Sequence, residues 1–237
     1  NWNAALALDP IDKSVTYYGS QFLHKTNNDG QSWEIISPDL TTNDPAKQDY
    51  KTGGLTYDNT AAENHTTIIS IGPSPIQQGV IWVGTDDGNV QVTQDGGGNW
   101  TNVVKNMKGL PDNAWIGQIQ PSEYDAAEAF VTIDNHRMHD WTPYVYHTKN
   151  FGRSWTRIVD ETKMRGATLS FVQDRIEPKL MFTGTEFGLW VSIDAGDNWT
   201  QWTNGYGTIP TQDMVIHPRE NDLVIATFGR SFWVLDD

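Results

Sequence analysis

The chain has 237 residues, enough for one large all-β domain with a core of its own. Its 30 acidic residues outweigh 16 basic ones, for a net charge of −14, which argues against nucleic acid as a partner because phosphate binding needs a basic face. The absence of cysteine excludes disulfides, thiolate metal sites and a cysteine nucleophile, and no stretch reaches the apolar length of a membrane span.

In chain order, the first unit runs from an apolar stretch, Ala4 to Pro10, through Val15 to Ser20 and Gln21 to Lys25. It then reaches Thr26-Asn27-Asn28-Asp29-Gly30-Gln31-Ser32-Trp33 and ends in Trp33-Glu34-Ile35-Ile36. The second unit repeats the order: Thr67 to Pro73, Gly79 to Thr85, Asn89 to Thr93, then Thr93-Gln94-Asp95-Gly96-Gly97-Gly98-Asn99-Trp100. Here Asp86-Asp87-Gly88 separates two alternating apolar runs, a strong hairpin signal. The third and fourth units carry the same phrase as Thr148 to Trp155 and Ser192 to Trp199. A fifth, from about residue 211, stops before its phrase.

The repeated phrase is Ser/Thr, any residue, Asp/Asn, any residue, Gly, two residues, Trp. Asp or Asn accepts hydrogen bonds from backbone N–H groups just ahead, and Gly supplies a positive φ. The Trp then anchors the turn on the sheet below. Asn28, Gly30 and Trp33 therefore read as a structural clip, as do Asp95, Gly97 and Trp100, Asn150, Gly152 and Trp155, and Asp194, Gly196 and Trp199.

Units of about forty to fifty residues with four short strands predict an all-β fold, a β-propeller with four-stranded antiparallel blades. About five blades are expected, at 1–40, 65–106, 114–160, 167–204 and 211–237, with an insertion at 41–64. Neither end offers an outer strand for the fifth blade. The chain is therefore expected to be the C-terminal part of a larger propeller, with its remaining blades supplied by the same precursor or another chain and its end blades exposing bare sheet faces.

Two stretches break the repeat, and long loops are where propellers place function. The insertion holds Asp44, Asp49, Asp58 and Glu63, and the second break is His136-Arg137-Met138-His139-Asp140-Trp141-Thr142-Pro143. Glycoside hydrolysis needs two carboxylates across a cleft. The candidate carboxylates are Asp58, Glu63, Asp86, Asp87, Asp134, Asp140 and Glu186; turn formation accounts for Asp86, Asp87 and Glu186, and Asp58 and Glu63, in the insertion, are the least explained and so the weakly supported catalytic candidates. His136, His139, Asp140 and His147 invite a metal reading, but the reading preferred is an Arg137–Asp140 loop pair with solvated imidazoles, so no metal is assigned. Calcium on the Asp and Asn oxygens of the insertion is the one cofactor left open. Of the eleven Trp, Trp82, Trp190 and Trp233 recur in hairpin strands and read as packing; Trp115 and Trp141 could stack on a sugar ring or lie in the core. The candidate binding set is Trp115, His136, Arg137, Asp140 and Trp141.

The four phrases resemble the Asp-boxes, or BNR repeats, of sialidases, xyloglucan-degrading glycosidases, the sortilin (Vps10) luminal domain and a photosystem II assembly factor. Ser37-Pro38-Asp39-Leu40-Thr41, Ile81 to Val90 and Gly229-Arg230-Ser231-Phe232-Trp233-Val234-Leu235-Asp236-Asp237 are similar to large bacterial exported proteins labelled "glycosyl hydrolase, BNR repeat" or "sortilin-like". The resemblance covers essentially the whole chain. It implies further blades upstream and a bacterial extracellular, cell-surface or periplasmic location. Arg175-Ile176-Glu177-Pro178 is similar to a sialidase phrase but sits late in the chain and reads as coincidence. The function expected is a non-catalytic binding or scaffold module that recognises a protein, peptide or glycan through propeller loops. The alternative is part of a glycoside hydrolase whose cleft is shared with missing blades; a third reading is a structural part of a larger surface assembly.

Overall fold

The structure is a computed structural model that describes residues 3–48, 65–159 and 161–236. Asp49, Asp58 and Glu63 of the insertion, and Trp2, lie outside the described residues. The chain divides into two compact units, Asn1–Ala129 with Thr148–Trp155, and Phe130–His147 with Thr156–Asp237.

Nineteen strands form among the described residues, in the order the repeat predicts. The first sheet holds β1 (Leu6–Leu8), β2 (Thr16–Gly19), β3 (Leu23–Thr26) and β4 (Glu34–Ile35) in chain order. The second holds β5 (Ile68–Pro73), β6 (Ile81–Thr85), β7 (Val90–Thr93) and β8 (Thr101–Asn102). The third is β9 (Gln118–Pro121), β10 (Ala129–Ile133), β11 (Tyr144–Thr148) and β12 (Thr156–Arg157). The fourth is β13 (Thr168–Gln173), β14 (Met181–Thr185), β15 (Gly188–Ser192) and β16 (Thr200–Gln201). The fifth has three strands, β17 (Thr211–Ile216), β18 (Leu223–Thr227) and β19 (Phe232–Leu235). Each sheet is an up-and-down blade, and the fold is a β-propeller fold with five blades described. No described helix is long and apolar enough to cross a membrane.

Apolar side chains from adjacent sheets make the core. In the first unit Tyr17, Leu23 and Leu40 pack with Ile68, Ile81 and Val83. In the second, Phe130, Val145 and Met164 pack with Phe171, Met181 and Trp190, while Leu189, Tyr206, Met214 and Ile225 form a further cluster. Small residues let neighbouring blades come close: a Cβ on Gly19 would lie 2.6 Å from Ile68 Cγ2, and one on Gly84 would lie 2.5 Å from Ile116 Cγ2. Apolar side chains remain exposed on the first blade at Leu6 and Leu8, and on the fifth at Val215, Phe232 and Val234.

The four clips share one hydrogen-bond pattern. In the second, Thr93 Oγ1 donates to Asp95 Oδ1 (2.8 Å) and accepts from Gly97 N (3.0 Å), while Asn99 N donates to Asp95 Oδ1 (2.8 Å). The equivalents in the first clip are Thr26, Asn28, Gly30 and Ser32. Those of the third are Thr148, Asn150, Gly152 and Ser154, and those of the fourth Ser192, Asp194, Gly196 and Asn198. The seventh residue matches the polarity of the third. Asn99 and Asn198 donate their side-chain amides to Asp95 Oδ2 (2.7 Å) and Asp194 Oδ2 (2.8 Å). Asn28 and Asn150 instead donate to the hydroxyls of Ser32 (2.9 Å) and Ser154 (2.8 Å). The fourth and fifth residues both take positive φ, as at Gly96 and Gly97 (71° and 105°), the conformation of a tight hairpin turn.

Each later clip also reaches onto the blade before it. Trp100 Nε1 donates to Ile36 O (3.1 Å), and Trp199 Nε1 to Ile158 O (2.7 Å). Gly97 sits against Ile36, Gly152 against Val103 and Gly196 against Ile158, three corresponding positions just past an outer strand. Of the clip tryptophans, Trp155 and Trp199 are buried and Trp100 is partly buried, whereas Trp33 is 43% exposed. Its ring stands edge-on to Tyr18 at 6.0 Å.

Candidate functional site

Antiparallel order puts the turn between the second and third strands of a blade, and the start of its first strand, on the rim opposite the clip. In the second unit that rim carries three segments: 134–143 between β10 and β11, 161–166 before β13, and Glu186-Phe187 between β14 and β15. Together they line a groove of about 550 Å³. The size falls within the few-hundred to thousand Å³ range of ligand sites. Trp141 is 50% exposed in this groove and Phe187 is 43% exposed.

The groove's first wall is a self-bonded loop. A 3₁₀ turn spans His136–Met138, and His139 closes it with φ 60°. Asp140 organises the rest of the loop: Oδ2 accepts from Asn135 Nδ2 (3.0 Å) and Tyr144 OH (3.0 Å), and Oδ1 accepts from Thr142 N (3.0 Å). Burial opposes the shift, but hydrogen bonds from Asn135, Thr142 and Tyr144 hold the Asp140 carboxyl below its ordinary range. Trp141 is thereby held between a fixed Asp140 and Thr142. On the second wall, Arg165 lies over the Phe187 ring at 5.3 Å, and Phe187 fills the space a Cβ on Gly166 would need. Arg157 bridges the walls, donating to Pro143 O and to Glu161 Oε2 (both 2.8 Å) with its guanidinium 4.7 Å from the Tyr144 ring centroid.

Arg137 approaches Asp134 at 3.7 Å, and His136 Nδ1 also contacts Asp134 (2.5 Å), while Asp140 accepts from the neutral donors Asn135, Thr142 and Tyr144. The imidazoles are not all solvated, since His147 is buried and stacked on Phe130 at 4.3 Å. Of the candidate binding residues, Asp140 and Trp141 line the groove and His136 and Arg137 sit in the loop behind them. Trp115 is buried in the first unit, 8% exposed. Sequence reasoning does not single out Phe187 and Arg165; the available signal is Glu186-Phe187-Gly188 at the place of Asp86-Asp87-Gly88, an aromatic in a turn.

The described residues that could hold a metal ion are His65, Asp86 and Asp87 in the first unit. Burial pushes Asp86 up to about 7, with Asp87 adding to the rise against the Thr67 and Thr66 amides. Burial also lowers His65.

No family model matches the chain, and no curated protein matches it. Solved structures do. The GH74 xyloglucanase from Xanthomonas campestris matches 97% of this chain with 36% of its own, at a TM-score of 0.67 and 19% identity. The extracellular domain of BT3049 from B. thetaiotaomicron matches 98% with 26% of its own, at 0.62 and 16%. YCF48 from Cyanidioschyzon merolae matches 99% with 67% of its own, at 0.55 and 12%. The chain spans between 27% and 36% of the GH74 chains it matches.

Proposed function

We propose that the chain is a non-catalytic binding module of an exported bacterial protein, sortilin-like in manner, and that its groove takes a glycan. The observation that carries this is the pair of exposed rings, Trp141 and Phe187, on facing walls beside Arg165. Aromatic faces stack on the C–H faces of sugars while charged neighbours hydrogen-bond their hydroxyls. The xyloglucanase of like fold supports a polysaccharide as the ligand class, and the extracellular neighbour supports an exported location. The four clips are of the Asp-box kind in this reading, structural elements of the blades. Binding is tested by calorimetry with xyloglucan oligosaccharides. The wild-type chain is expected to bind and Trp141→Ala to weaken binding tenfold or more, with the fold unchanged by circular dichroism. Equal affinity of the two would place the ligand elsewhere.

A second reading, a shared hydrolase cleft, is favoured by one observation: Asp140 and Glu161 both line the groove. Against it, Asp140 is held ionised by three donors and is poorly suited to be the general acid. Release of reducing ends from xyloglucan, lost in Asp140→Asn and Glu161→Gln, would favour that reading.

A further inference from the structure

We propose that His65, Asp86 and Asp87 form a binding site for one divalent transition-metal ion in the first unit. One ligand atom from each residue lies within 4.8 Å of the other two, close enough for a single ion to touch all three. All three side chains are more than nine-tenths buried, with exposures of 6%, 2% and 1%. Two features set the cluster apart from ordinary turn carboxylates.

The first is that its polar atoms are left over. Asp86 Oδ1 accepts from Thr66 N (3.0 Å) and Thr67 N (2.8 Å), which fixes the carboxylate at the start of β5. Asp86 Oδ2 and His65 Nδ1 are buried with no hydrogen-bond partner among the described residues. A buried polar atom without a partner is costly, and such atoms are few in folded proteins. The second is positioning from several directions. Asp87 Oδ1 accepts from Thr85 Oγ1 (2.5 Å), and Oδ2 accepts from Thr42 N and Thr42 Oγ1 (both 2.7 Å). Segment 40–42 is in turn held to the second blade, because Leu40 O accepts from Asn89 Nδ2 (2.9 Å) and Gln91 Nε2 (3.0 Å). Those hydroxyl and amide groups orient the carboxylates from outside, as the outer shell of a metal site does.

The donor set decides the ion. One imidazole nitrogen with two carboxylate oxygens suits zinc, manganese or iron(II) and gives calcium and magnesium, which prefer oxygen alone, no advantage. A dication would also offset two buried carboxylates in a chain of net charge −14. A groove of about 450 Å³, lined in part by Thr42, Asp87 and Asn113, runs beside Asp87 and gives water a route to the remaining coordination positions.

The full chain, stripped with chelator, is titrated with Zn²⁺ by calorimetry, and with Co²⁺ followed by its visible spectrum. Wild type is expected to bind one Zn²⁺ with a Kd in the micromolar range or tighter, and cobalt to show bands of mixed nitrogen and oxygen ligation. Asp86→Asn keeps the acceptor for the Thr66 and Thr67 amides, and His65→Gln keeps a polar side chain; each is expected to weaken Zn²⁺ at least tenfold. Failure of wild type to bind overturns the proposal. So does binding that either folded variant leaves unchanged, because the ion would then sit on other histidines. Should one variant not fold, the other alone decides between these outcomes.

Discussion

The contact between Gly97 and Ile36 allows a sharp test of how blades are joined. Gly97 has φ 105°, and a Cβ there would lie 2.3 Å from Ile36 O and 3.0 Å from Ile36 Cβ. Gly30 holds the same position in the first clip at φ 81°, but the nearest atoms to its added Cβ are those of Trp33 at 3.8 Å, ordinary contact. Alanine at positive φ costs about 1–2 kcal/mol at either site. Only at Gly97 must a backbone carbonyl also move aside, an overpacking cost of roughly 1–3 kcal/mol. Gly97→Ala is therefore expected to lose about 2–5 kcal/mol and Gly30→Ala about 1–2 kcal/mol. Urea unfolding of the full chain, followed by tryptophan fluorescence, measures both. Equal losses would refute the reasoning, since the backbone term would then be the whole effect and the approach to Ile36 would add nothing.

The clip carboxylate gives a second test. Hydrogen bonds from the Asn99 side chain and amide, and from Thr93, hold Asp95 down at about 2. A depressed carboxylate stabilises the fold above its unfolded pKa, and that contribution is lost as pH falls through the folded value. Carbon NMR should find Asp95 titrating near pH 2, and an ordinary carboxylate midpoint would contradict the geometry. Asp95→Asn should lower the melting temperature because two amide donors would face each other, and adding Asn99→Ser, the pairing of the first and third clips, should restore it. The exposed apolar residues of the end blades, Leu6 and Leu8 on one and Phe232 and Val234 on the other, suit coverage by further blades. The isolated chain should then associate with rising concentration in sedimentation velocity; a monodisperse monomer at all concentrations would count against that coverage.

Strand order, turns and clips are legible in the sequence because they rest on local chemistry. Asp-Gly turns, alternating apolar runs and the Thr-x-Asp-x-Gly spacing act within a few residues of themselves. The site is legible only in part. Trp141 stands out because its loop exceeds the length a hairpin needs, but Phe187 and Arg165 join it only through packing of segments some twenty to fifty residues away. The bonding of Asp140 is hidden for a related reason: complementary charge draws attention to Arg137, while the donors Asn135, Thr142 and Tyr144 are neutral and give no such signal. Asp86 and Asp87 read as turn residues, and the Thr85 hydroxyl bond to Asp87 fits that role. Their burial against His65 depends on where the chain re-enters after the insertion, which periodicity does not encode.

The reach of the second and fourth clips onto the preceding blade gives the molecule a direction. Ile36 O waits for Trp100, 64 positions later, and Ile158 O waits for Trp199, 41 positions later. During synthesis the first and third blades therefore leave the ribosome with an outer carbonyl still open to water, and each is finished by the blade that comes after it. Order is passed backwards along a chain that is made forwards. A translational pause just after an outer strand would leave that blade unlatched, and a pause just after the next clip would leave it secured.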